Sequence, residues 1–404
     1  MIPVSSRASS IEYAIRDVVV PATELENQGF QIIKLNIGDP IAYPGLPTPK
    51  HMVEAFQRGL EEGNNGYSPS YGIPKLRKEI ARNESLKGWD CKSDDVYVCH
   101  GVTEALQIIF AATLEEGDTV LAPGPHYPPY MAYPQMYGAK TVEYSLKHDS
   151  GWSIDIEDIR EKMDESVRLL VLINPNNPTG NVATKEEIAS LINIAENWPN
   201  CMIIADEIYD GLDFTGNLVS VASCSESVPV FVLNGVSKVY YAPGWRIGYL
   251  SIHDPAKKMG VVRDGIERLL RSRLCASTPA QLGYFAGLSE DKTWMVEYKE
   301  RVDSRRQLCL NRIRSIDGLE VENPGGAFYM FVRLTDPHWK ENDKQFVLDL
   351  LHEEHVLVVH GSGFSKEKGI GHFRLVYLAD EETLNIAFDR IESFLKRHRE
   401  AKKS

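Results

Sequence analysis

Residues 234–249 read NGVSKVYYAPGWRIGY, and this stretch decides the fold. The apolar run Val228 to Leu233 enters it as a buried strand, and Ile247 to Ile252 leaves it as another. Lys238 therefore lies on a connection between two strands, where open α/β sheets place their sites. Val239, Tyr240, Tyr241 and Trp245 surround it with apolar surface. Desolvation favours the neutral amine, which is the form that attacks carbonyls, so Lys238 is a candidate nucleophile. Eight residues on, Arg246 is expected to open the next strand, with Pro243 fixing the turn and Gly244 leaving room for close backbone approach. A planar guanidinium there suits a pair of phosphate oxygens.

Working outward, other strand ends carry polar residues. Arg168 to Ile173 is a buried strand ending in NPNNPTG (174–180), whose two X–Pro bonds can hold the side-chain amide of Asn177 at the strand's end. Thr184 to Glu187 is a capping box for the next helix. Met202 to Ala205 is a strand closed by Asp206 and, three residues on, Tyr209; a carboxylate at the end of a buried strand is costly unless it meets a cation. Val96 to Cys99 leads into Gly101, Val102 and Thr103, which open a helix whose free N–H groups can bind phosphate. Thr119 to Ala122 leads into PGPHYPPY, where prolines stiffen a loop presenting the face of Tyr127; His126 beside it is read as structural. Gly38 in NIGDP reads as a turn glycine, and Tyr67 in YSPSYGIPKLRKEIA as a rim aromatic. Arg374 stands in the apolar strand HFRLVYL, where an unpaired guanidinium is expensive.

The motif SK-(x)5-GWRIG (237–248) resembles the lysine signature of the class I/II aminotransferases, enzymes of fold type I that use pyridoxal 5′-phosphate (PLP). The resemblance covers nearly the whole chain, with Gly38, Tyr67, Thr103, Tyr127, Asn177, Asp206, Tyr209, Lys238, Arg246 and Arg374 in family order. It implies an α/β fold: a large, mostly parallel central sheet (residues 49–284), a smaller α+β domain (285–404), and an N-terminal helix and segment (1–48) belonging to the small domain. It implies that Lys238 carries PLP as a Schiff base and relays the substrate's Cα proton. Asp206 would keep the pyridine nitrogen protonated, while Asn177 and Tyr209 share the ring oxygen and Tyr127 stacks on the ring. Gly101, Val102, Thr103, Ser237 and Arg246 would hold the phosphate, with Tyr67 reaching the neighbouring subunit of a homodimer. Arg374 would grip the substrate carboxylate, with Gly38 and Asn177 beside it. One departure is visible: Gly235 stands where many relatives have serine, and Ser237 is the candidate replacement.

Within the family, the wording RLCASTPAQLG (273–283) is similar to the alanine aminotransferase branch, which implies alanine and 2-oxoglutarate as the amino-group pair and ping-pong kinetics. A β-eliminating C–S lyase or a cyclopropane-forming synthase would share the same residues. A non-catalytic regulator of the same fold is the other alternative, disfavoured by the intact Lys238 and Asp206 and by the acidic charge.

The remaining residues bound the expectations. With 404 residues the chain can bury a large core and form two domains. Its net charge of −13 repels phosphate backbones, so nucleic acid and anionic membrane are poor partners. No apolar run reaches membrane-spanning length and MIPVSSRASS lacks the order of a signal peptide, so a cytoplasmic location is expected. The six scattered cysteines suit reduced thiols. Residues 9–29 read as an amphipathic helix interrupted by Pro21, with Ile11, Ala14, Ile15, Val18 and Val19 on one side. Lys257 to Leu274 reads as a long basic-faced helix, with Pro279 as a breaker near the return to the second domain and Arg273 as a solvated residue. Past residue 285, two helical patterns, strands near 319–322, 327–333, 356–359 and 373–378, and a final helix are expected. His352-Glu-Glu-His355 is a weak metal motif without a third ligand, and no metal is expected.

Overall fold

The computed structural model describes residues 2, 4–9 and 18–400. Strand β1 (Ile33–Lys34) precedes a central sheet of eight: β2 (Val96–Cys99), β3 (Thr119–Gly124), β4 (Lys140–Lys147), β5 (Ser153–Ile154), β6 (Val167–Ile173), β7 (Met202–Asp206), β8 (Val230–Gly235) and β9 (Gly248–His253). Their spatial order is 2-9-8-7-6-3-4-5. The run β8, β7, β6, β3, β4 is parallel, while β9 and β5 run antiparallel to their neighbours and β2 antiparallel to β9. Strands such as β6, VRLLVLI, are apolar on both faces past Arg168 because both faces are covered. One face packs on helices Gly101–Thr113 and Gly260–Arg273, the other on helices Pro74–Ser85, Lys185–Glu196 and Thr278–Ser289. The carboxyl ends of β3, β6, β7 and β8 consequently point the same way, which gathers the loops after them at one edge.

A second sheet, antiparallel in the order 10-11-14-13, comprises β10 (Leu319–Glu320), β11 (Tyr329–Leu334), β13 (Val359–His360) and β14 (His372–Val376). Its helices are Thr293–Ser315, Asp343–Glu354 and Glu381–Glu400. Strand β12 (Val356–Leu357) pairs in parallel with β1, and Val18, Leu35 and Tyr43 share a core with residues 302–395.

Several local expectations change. Ile11, Ala14 and Ile15 of the first helix lie outside the described residues; from Val19 the helix runs to Asn27, and Pro21 sits in its first turn, where a missing N–H costs nothing. The basic-faced helix is Gly260–Arg273 and ends at Leu274, whose φ is +71°. Pro279 starts a helix instead of ending one: Thr278–Ser289 packs on helix Lys50–Glu61. His352 is in the last turn of its helix, whereas His355 lies beyond the helix end with φ +57° and packs its ring on Phe30, so the two do not share a helical face. Among the described residues no group of three or more metal-ligating side chains forms. All six cysteines are free thiols. No helix among the described residues is long and apolar enough to cross a membrane.

Candidate active site

A cavity of about 390 Å³ opens where the loops after β3, β6, β7 and β8 face β11 and β14 of the smaller sheet. Lys238 and Ser237 reach it three and two residues beyond β8. Lys238 is half-buried, and its amine donates to the Gly38 carbonyl at 2.6 Å. Burial first, and then the positive charge of Arg374, bring its pKa down to about 8. Asp206 ends β7 on the same cavity with 4% of its surface exposed. Its Oδ2 accepts from the Tyr130 hydroxyl at 2.8 Å and its Oδ1 from the Ile208 N–H at 3.3 Å. Burial pushes its carboxyl up to about 6 against those two hydrogen bonds. Among the described residues Asp206 has no ion-pair partner, which leaves a buried carboxylate suited to a cation from outside the chain.

Asn177, on the loop after β6, accepts through Oδ1 from Arg374 Nη1 at 3.0 Å. Arg374, central in β14 and 3% exposed, also donates through Nη2 to the Asn36 carbonyl at 2.8 Å. Its Nε is enclosed without an acceptor. The Tyr209 hydroxyl meets that of Tyr329 at 2.9 Å, and burial raises the Tyr209 phenol's pKa well above its usual value. Tyr127 lines the cavity between these loops and the helix Gly101–Thr113.

That helix starts with Gly101 at φ +76°, and Val102 and Thr103 of its first turn, where N–H groups lack helical acceptors, line the cavity. A Cβ on Gly101 would stand 2.6 Å from Arg246 Nη2. Arg246 does not open β9 as expected: it lies two residues earlier, with φ +53°, and its guanidinium bonds back to the carbonyls of Pro243 and His100. Gly235 pairs with Gly248 across β8 and β9, and a Cβ on Gly235 would come within 2.6 Å of the Gly248 Cα, so a serine has no room there. A Cβ on Gly248 would in turn strike Gly101 and Val102 at 2.8–2.9 Å, so this glycine contact lets the helix start sit directly on the sheet.

PLP fits this arrangement on two observations. The buried carboxylate of Asp206 has no ion-pair partner among the described residues, and the helix start beside Arg246 is a cradle that a single Cβ would fill. Of the expected residues, Gly38, Val102, Thr103, Tyr127, Asn177, Asp206, Tyr209, Ser237, Lys238, Arg246 and Arg374 line the one cavity, and Gly101 borders it. Tyr67 does not: its side chain is 84% exposed, outside the cavity of its own chain.

One expectation about a neighbour is corrected. Arg273 is not solvated; its Nε pairs with Glu104 at 3.1 Å and its Nη2 with the Val98 carbonyl at 2.5 Å, pinning the start of helix Gly101–Thr113. His126, read as structural, contacts the Tyr127 carbonyl at 3.0 Å and Glu143 at 3.2 Å. Tyr130, Tyr329 and Asn36 were not anticipated; Tyr130 lies in the quoted PGPHYPPY, three residues past Tyr127, and Asn36 opens the quoted NIGDP, while Tyr329 gave no signal.

Comparison with known proteins finds relatives over nearly the whole chain. A family model described as aminotransferase class I and II matches residues 31–391. The glutamate-pyruvate aminotransferase AlaA of Haemophilus influenzae is 33% identical, covering 99% of this chain and all of that protein. A probable aspartate aminotransferase of Methanocaldococcus jannaschii is 32% identical over 97% of this chain and 100% of its own. The solved alanine aminotransferase from Pyrococcus furiosus superposes with a TM-score of 0.95 at 47% identity, covering 98% of this chain and 100% of that one.

Proposed function

The chain belongs to the class I and II aminotransferases, PLP-dependent transaminases of fold type I, and from that premise we propose that it moves the amino group of an L-amino acid, alanine foremost, to 2-oxoglutarate by a ping-pong cycle. The observation that carries the reading is that the Lys238 amine and the Asp206 carboxylate open on one cavity, bounded by Arg374 and by the glycine-started helix beside Arg246. When bound, PLP supplies an electron sink for the pair of electrons left at the substrate's Cα.

The residues divide the remaining work. Arg374 binds the substrate carboxylate in a fork, exchanging the neutral acceptors of Asn177 and Asn36 for a charged one. Lys238 Nζ, with its acidity already near neutral, takes the Cα proton and returns it at the other end of the transfer. Asp206 would hold a proton on the pyridine nitrogen, and Tyr130 fixes the carboxylate's orientation. Thr103, Ser237, Arg246 and the first-turn N–H groups would hold the phosphate, with Ser237 supplying the hydroxyl that the Gly235 contact forbids. Val19 and Ile37 place apolar surface on the cavity, which suits a donor as small as alanine. The relatives named for alanine and for glutamate and pyruvate support the same pair. We further place the enzyme in the cytoplasm as a homodimer, its exposed Tyr67 directed to the phosphate of the second subunit, with residues 285–404 and 1–48 forming the smaller of two units against 49–284.

Steady-state rates with alanine and 2-oxoglutarate varied together test the cycle. Parallel double-reciprocal lines are expected. Intersecting lines, which report both substrates bound at once, overturn the ping-pong scheme, and release of pyruvate and ammonia from cystathionine without any oxo acid would identify a lyase instead.

A further inference from the structure

We propose that Tyr329 is a positioning residue that ties the carboxylate anchor of one sheet to the ring-oxygen tyrosine of the other, so that substrate docking and cofactor tuning share one side chain. The inference rests on the roles given above to Arg374, Tyr209 and Lys238.

Three contacts converge on Tyr329, at the start of β11 in the smaller sheet. Its hydroxyl lies 2.9 Å from that of Tyr209, which follows β7 in the larger sheet. Its ring lies 4.6 Å from the Arg374 guanidinium, close enough for a cation–π contact in a fully desolvated setting. Its hydroxyl also occupies the space that a Cβ on Gly38 would need, and the Gly38 carbonyl is the acceptor for Lys238 Nζ. Both phenols are buried, Tyr209 at 3% and Tyr329 at 1% exposure, so neither hydroxyl has bulk water as an alternative partner.

The direction of the hydroxyl pair follows from donor counting. A phenol has one proton to give. If Tyr209 donates to the ring oxygen of the cofactor, it cannot also donate to Tyr329, so Tyr329 is the donor of the pair and Tyr209 the acceptor. A hydroxyl that accepts a hydrogen bond donates a stronger one. The ring oxygen carries negative charge in the unprotonated form of the bound chromophore, and a stronger bond to that oxygen lowers the pH at which the visible band titrates. Tyr329 thus acts on the cofactor through Tyr209, and on the substrate carboxylate through Arg374.

Two variants of the holoenzyme separate these effects. Tyr329→Phe keeps the ring over Arg374 and removes only the hydroxyl. Its visible band should titrate roughly 0.5–1 pH unit higher than that of the wild type, the worth of one hydrogen bond, with KM for alanine changed less than about twofold because the cation–π contact survives. Tyr329→Leu removes the ring as well, and KM should then rise by about 3- to 30-fold. A Tyr329→Phe band titrating at the wild-type pH would overturn the link to Tyr209 and leave the hydroxyl a packing group. An unchanged KM in Tyr329→Leu would overturn the link to Arg374. Failure of the wild-type protein to show a visible band at all would overturn the underlying cofactor site together with the inference.

Discussion

Asn177 accepts a 3.0 Å hydrogen bond from Arg374, 197 residues away and on the other sheet. That bond and the one to the Asn36 carbonyl are the neutral placeholders for a substrate carboxylate, and they keep the guanidinium aligned before one arrives. Arg374→Lys retains the charge but loses the fork, and kcat/KM for alanine should fall by about 10²–10³. Arg374→Met should lose more activity while the apoprotein keeps or gains thermal stability, because a desolvated charge has been replaced by apolar volume. A comparable loss of activity accompanied by a lower Tm would mean that Arg374 serves the fold instead.

The lowered pKa of Lys238 gives a pH dependence with a definite sign. Burial disfavours the ammonium, so the nucleophilic free base grows as pH rises through about 8. Recombination of the apoprotein with PLP, followed by stopped-flow absorbance, should therefore speed up about tenfold from pH 7 to a plateau above about 9. An inflection near the ordinary lysine value would show that the amine is not desolvated.

Gly101 makes a separable prediction about the phosphate cradle. Alanine there meets both a positive φ of 76° and the Arg246 guanidinium 2.6 Å away, so PLP should dissociate at least about tenfold more readily. Gly244→Ala is the control, since nothing lies within 4 Å of its added Cβ, and its affinity should be unchanged. Equal behaviour of the two variants in a fluorescence titration would place the phosphate elsewhere.

Asp206 should trade stability for function. Its carboxyl is raised from 3.8 to about 6, so the cost of ionising it in the apoprotein is absent below about 4 and complete above about 6. At pH 7.5 the neutral Asp206→Asn apoprotein should be the more stable form, by up to about 3 kcal/mol, measured as a higher Tm. Saturating PLP should reverse the order, because only the carboxylate pairs with a protonated ring. If the apo variant melts lower at that pH, burial is not penalising the native carboxylate.

The parts legible in the sequence share one property: the chemistry sits within a few residues of a strand end. Asn177, Asp206 and Lys238 each follow an apolar β-branched run, so both the strand and the exposed polar residue could be read locally. What escaped depends on distant partners. Tyr130 reaches Asp206 across 76 residues and Tyr329 reaches Tyr209 across 120, and a buried tyrosine inside an apolar run looks like any core residue. Arg273 sits on a helix with a basic face, and only the fold brings Glu104 to it. Likewise, Pro279 is as compatible with a helix's first turn as with its end, and packing against helix Lys50–Glu61 makes it the former.

The central claim is a covalent one, and reduction tests it most directly. Purified protein incubated with PLP and treated with borohydride, then digested and analysed by mass spectrometry, should carry a single phosphopyridoxyl group on Lys238, and the Lys238→Ala protein should carry none there. A stable adduct on another lysine, with residue 238 unmodified, would contradict the account.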